Sequence, residues 1–151
     1  MVPRSQRLDP LLKIKQRHQD AVAQEVAARD AVLVEQQARL AALEQYAAEY
    51  QMQPLQGGVI NPALLANRLA FREKLQQAVQ QQTRIVDSSR QATEVERARL
   101  MLASREKHVL EKLAASYRSD EAKAADSRVQ KELDDLAGRR ARTAALDGSD
   151  A

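Results

Sequence analysis

A chain of 151 residues with 30% charged side chains, a net charge of +3, one Phe, three Tyr, four Gly, four Pro and neither Cys nor Trp lacks the aromatics of a globular core. Its Ala, Leu, Gln, Glu and Arg content is that of long helices, and without cysteine there is no disulfide scaffold, thiolate metal site or cysteine nucleophile. No apolar run nears the roughly 20 residues that span a bilayer, and the N-terminus lacks a signal-peptide stretch; one soluble all-α coiled-coil domain over residues 1–151 is expected.

Pro and Gly place the elements. Asp9-Pro10 and Asn61-Pro62 share a form: a side chain able to accept a first-turn amide precedes a proline that supplies a helical φ and lacks the donor. The first helix is therefore expected over about 9–52. Pro54, Gly57 and Gly58 make a turn over 53–61. The second helix is expected over about 62–137, stopped at Gly138, with a frayed tail over 138–151.

Two long helices on a short turn predict an antiparallel two-helix coiled coil, a helical hairpin. A 3-4 spacing runs through Leu8, Leu12, Lys15, Gln19, Val22, Val26, Arg29, Leu33, Gln36, Leu40, Leu43, Ala47 and Tyr50. A second runs from Arg68 and Arg72 through Leu75, Val79, Gln82, Val86, Ser89, Thr93, Glu96, Leu100, Ala103, Lys107, Leu110 and Ala114 to Tyr117. Antiparallel alignment sets Leu33 against Val86, Gln36 against Gln82 and Lys15 against Ala103. The second helix then outruns the first near residue 109, leaving a C-terminal overhang that carries Leu110, Leu113, Tyr117 and Leu136. Its bare reading is a solvated helix or a self-association site. Phe71, Ala78, Ile85 and Ala92 form a second apolar stripe one position off the seam, which reads as a partner surface near the turn or as a widened seam with Phe71 packed inward.

No active site is expected from the sequence. His18 and His108 are its only histidines, and the register keeps them from sharing a metal. Gly57-Gly58 lacks the Lys-Ser/Thr of a phosphate loop. No catalytic residue, metal site or cofactor is expected. The cations of residues 62–118 are interleaved with Glu like a solvated face, which argues against nucleic acid as a partner.

Three stretches carry a resemblance: Leu43-x-x-Tyr46-x-x-x-Tyr50, Phe71-x-x-x-Leu75-x-x-Ala78-Val79, and Gln130-Lys131-Glu132-Leu133-Asp134-Asp135-Leu136-Ala137. In order and spacing the chain resembles the FliJ family, coiled-coil stalk proteins of the bacterial flagellar type III export apparatus. The resemblance implies a non-enzymatic component that couples the hexameric export ATPase ring to the cytoplasmic part of the export gate protein and assists the cycling of export chaperones. It would be cytoplasmic, peripherally associated with the inner membrane at the flagellar base through the gate alone. Family gate contacts map onto Leu43, Tyr46, Tyr50, Phe71, Leu75, Ala78 and Gln82, the last standing where some members have His. Leu110, Leu113, Tyr117, Gln130, Lys131 and Asp134 become the residues directed to the ATPase ring. The stalk of a virulence type III secretion system and a homodimeric coiled-coil adaptor are the alternatives.

Overall fold

A computed structural model describes residues 2–53 and 61–149. Two helices, α1 (Arg4–Met52) and α2 (Pro62–Ser149), account for the described fold and pack against each other as the expected hairpin. Pro54, Gly57 and Gly58, on which the expected turn rests, lie outside the described residues. The chain divides into two compact units, His18–Ser104 and an outer unit made of residues up to Arg17 and from Arg105 onward.

The start of α2 is as expected: the Asn61 side chain accepts the Ala63 amide at 3.1 Å, and its carbonyl accepts the Leu65 amide at 3.0 Å. That is an N-cap with proline at the first helical position. The other three boundaries include two corrections. Helix α1 begins at Arg4 rather than near Asp9 and carries Pro10 in its interior. Helix α2 passes through Gly138, where the sequence suggests a stop, and runs on to Ser149. Nothing obliges Gly138 to leave the helical region, since glycine in a helix costs only about 1 kcal/mol against alanine.

The outer unit shows why α1 starts early. The Pro3 carbonyl accepts the Gln6 and Arg7 amides at 3.1 and 3.2 Å. The first turn of α1 has no acidic residue of its own. Glu121 of α2 supplies one, accepting the Ser5 amide at 3.0 Å and the Ser5 hydroxyl at 2.7 Å. A carboxylate on first-turn donors satisfies orphan amides and complements the positive end of the helix. Arg4 lies over the Tyr117 ring at 5.9 Å. Lys15 pairs with Glu106 at 3.0 Å, and Arg118 approaches Asp9 at 3.9 Å. These ties hold the segment ahead of Pro10, which lacks the amide that would bond the Gln6 carbonyl. Pro10→Ala is therefore expected to stabilise the hairpin by about 2 kcal/mol, the interior-proline penalty less the entropy proline removes from the unfolded chain. A raised thermal midpoint by circular dichroism would show it.

The Ser5 hydroxyl, then the Ser5 amide, hold the Glu121 carboxyl below its ordinary pKa; the Arg4 amide and Arg118 add to this, and desolvation opposes it. A carboxylate with a lowered folded pKa contributes stability above its unfolded pKa and loses it as pH falls through the folded value. Acidification below the usual carboxylate range should therefore loosen the first turn of α1. Amide resonances of residues 4–8 should report one acid transition in the parent chain. In Glu121→Gln the turn should already be loosened at neutral pH, with that transition absent.

In the unit His18–Ser104 the apolar core is narrow: Val22, Leu75, Val86 and Ala103 are its buried hydrophobic residues. Every expected seam position of α1 is buried or half-buried except Arg29, and every one of α2 except Arg72. Arg29 turns outward to pair with Glu25 at 3.4 Å, while Asp30 takes the half-buried place and accepts from Arg97 of α2 at 2.8 Å. A guanidinium in the seam would need a buried carboxylate partner; the Asp30–Arg97 pair at the seam edge avoids that need.

Polar layers interrupt the core as the sequence indicates. Gln82 donates to the Gln36 side-chain oxygen at 2.8 Å and to the Gln36 carbonyl at 3.0 Å, which is the expected register. Thr93, 1% exposed, returns its hydroxyl to the Ser89 carbonyl. Gln19 donates to Ser104 at 3.0 Å while its own oxygen is buried without a hydrogen-bond partner. Such layers fix register at the expense of stability. Lys15 is half-buried at its expected seam position and sends its ammonium to Glu106.

Candidate partner surfaces

The first surface belongs to the unit His18–Ser104 and is built where α1 ends and α2 begins. The last turn of α1 carries no basic residue, so its terminal carbonyls lack a local counter-charge. Arg68 of α2 provides it, donating to the Tyr50 carbonyl at 3.4 Å and to the Gln53 carbonyl. The same guanidinium lies over the Tyr50 ring, 5.5 Å from its centroid. Tyr50 meets Phe71 edge-on at 4.9 Å, and Tyr46 meets Phe71 at 6.5 Å and 86°. Edge-to-face packing of this kind fixes ring orientation. The rings remain accessible: Tyr46 is 52% exposed and Phe71 39%.

Of the seven residues mapped to gate binding, Tyr46, Tyr50 and Phe71 therefore form one cluster. Leu43 and Ala78 are half-buried, and Leu75 and Gln82 are buried in the helix–helix seam, Gln82 with its amide engaged by Gln36. Beside the cluster an open depression of about 300 Å³ is lined by Tyr50, Gln51, Gln53, Leu65, Arg68, Leu69 and Arg72. Leu65 and Leu69 are exposed there. Neither leucine nor the anchoring role of Arg68 emerges from the sequence reading. The available signal was an arginine at a seam position, since a cation in a seam next to a helix C-terminus has carbonyls to bind.

The second surface belongs to the outer unit. Leu110 and Tyr117 are half-buried and Ala114 is 1% exposed, so these positions are paired with α1 rather than overhanging it. The early start of α1 is the reason: pairing extends to Ser5 and Glu121. Leu113 is 38% exposed. Here an open groove of about 730 Å³ runs past Pro3, Arg4, Arg7, Tyr117, Asp120, Ala124 and Arg128. From Ala122 to Ser149 every residue except Gly138 is exposed; this stretch is the overhang. Gln130 donates to Asp134 at 3.3 Å within it, and Lys131 is exposed.

Among the described residues no group of His, Cys, Asp and Glu is placed to hold a metal ion, and no helix is long and apolar enough to cross a membrane. The arrangement offers apolar and charged side chains on helix faces, which is suited to binding other proteins. A family model described as Flagellar FliJ protein matches residues 4–146. No curated protein and no solved structure matches the chain.

Proposed function

The chain belongs to the flagellar FliJ family, a component of the flagellar export apparatus, and on that footing we propose that it is a non-catalytic link between the hexameric export ATPase and the export gate. In this role the Tyr46–Tyr50–Phe71 cluster meets the cytoplasmic part of the gate protein. The overhang and the paired end around Leu110, Leu113 and Tyr117 meet the ATPase ring, with Gln130, Lys131 and Asp134 on the exposed stretch. Assistance to chaperone cycling belongs to the same role, as does a cytoplasmic position held at the inner membrane only through the gate.

The observation that carries this reading is the half-exposed aromatic cluster, held in place by Arg68 rather than buried as core. Rigid aromatics with one open face are the residue types that dominate protein-binding energy. The test is a pull-down with purified chain, export ATPase and the cytoplasmic part of the gate protein. The full chain should retain both. A chain ending at Glu121 should bind the ATPase more weakly and keep the gate. Retention of neither partner by the full chain would remove the proposal.

A further inference from the structure

Beyond Glu121 the apolar pattern of α2 changes phase. Continuing the seam spacing from Ala114 and Tyr117 leads to Glu121, then Ala124, Arg128, Lys131 and Asp135, which is too polar to bury. The apolar residues instead fall at Ala122, Val129, Leu133 and Leu136, each one or two residues past the preceding seam position and in four-three spacing from Val129 on. One residue is about 100° around a helix, so α1 extended along the seam would not cover them. Val129, Leu133 and Leu136 are each more than half exposed. A small depression bounded by Glu132, Asp135, Leu136 and Arg139 adjoins them, the kind of hole that receives a leucine knob.

The charges on and beside this stripe specify an occupant. Asp126 and Arg140 lie on the stripe itself. Parallel pairing of two copies would set Asp126 on Asp126 and Arg140 on Arg140, two like-charge layers. Antiparallel pairing sets Leu133 against Leu136 of the second copy and Leu136 against Leu133. It then brings Arg140 within one turn of Asp126 of the second copy. It also sets Glu132 beside Arg139 of the second copy, and twofold symmetry makes that ion pair twice. We propose that the overhang is a self-association surface on which two copies of this chain pair antiparallel, with Leu133 and Leu136 as the core and Glu132 and Arg139 as the reciprocal flank. Two leucine layers make a reversible dimer rather than an obligate one.

The test uses the full chain alone, so its outcome is independent of the export partners. In sedimentation equilibrium at low salt the weight-average mass should climb with concentration from 16.9 kDa toward twice that value. Leu133→Asp should lower the association constant on the order of a hundredfold, because each copy loses a buried leucine, with helicity unchanged. Glu132→Arg and Arg139→Glu should each weaken the dimer, and the two combined should restore it. The chain has no cysteine, so a mixture of Leu133→Cys and Leu136→Cys chains should form the mixed disulfide in preference to either symmetric one. A monomer at every concentration, a dimer that survives Leu133→Asp, a combined charge swap that fails to rescue, or preferential symmetric Leu133→Cys crosslinking would overturn the proposal.

Discussion

Val86→Asp is expected to destabilise the hairpin by about 3 kcal/mol or more, the usual consequence of an unpaired charge forced into a buried site. Val86 is 4% exposed and one of the few buried apolar residues of its unit. Its neighbour one turn earlier, Gln82, already gives its amide to Gln36. Val86→Ala removes the equivalent of two methylenes and should cost only about 1.6 kcal/mol. Val95→Asp, at a position 59% exposed, should stay within about 0.5 kcal/mol of the parent. Urea unfolding followed by circular dichroism would rank the three. A pH series separates charge from packing. Burial raises the pKa of the introduced carboxyl, so Val86→Asp should regain stability as pH falls, while Val86→Ala should not. Equal losses in Val86→Asp and Val95→Asp would mean that the seam does not hold the hairpin together.

The seam was legible because the rule that produces it is local and periodic. A 3-4 spacing picks out nearly every covered position, and where it fails at Arg29 the cause lies in the partner helix: Arg97 draws Asp30 toward the seam edge. The N-cap at Asn61 was legible for the same reason, since donor and acceptor lie two residues apart. The start of α1 was not. Local chemistry at Asp9-Pro10 suggests a helix beginning, and the carboxylate that overrides it belongs to Glu121, 116 residues from the Ser5 it caps. The overhang inherited that error, because its beginning on α2 depends on where α1 stops. The aromatic cluster was legible as a gathering of scarce residue types, but its anchoring by Arg68 was not.

Each end of α1 thus takes from α2 what its own sequence omits. Its first turn has no acid and its last turn no base; Glu121 serves the one and Arg68 the other. A helix capped by its partner has frayed ends when alone, so the caps help couple the folding of α1 to its pairing with α2. The rings near Arg68 share in that coupling, because Tyr50 contacts both Arg68 and Phe71. A surface built on them is preorganised, and less ordering entropy opposes binding.

If that surface meets the export gate, Phe71→Ala should weaken gate binding on the order of thirtyfold, the effect of removing an aromatic anchor worth about 2 kcal/mol. Phe71 touches both Tyr50 and Tyr46, so its loss leaves two rings without their shared neighbour and the patch without its centre. Tyr50→Ala should act in the same direction, because it removes the ring that contacts both Arg68 and Phe71. Helicity should be unchanged in both, since neither residue lies among the buried apolar core. Ile85→Ala is the control: Ile85 is on the same stripe and is also 39% exposed, but it lies about four turns further along α2 and should bind nearly as the parent does. Phe71→Leu keeps the bulk and loses the edge-on ring contacts, and should fall between. Swimming in soft agar should follow the binding order, with Phe71→Ala the most impaired. Normal swimming and undiminished gate binding in both Phe71→Ala and Tyr50→Ala would remove the gate assignment from this cluster.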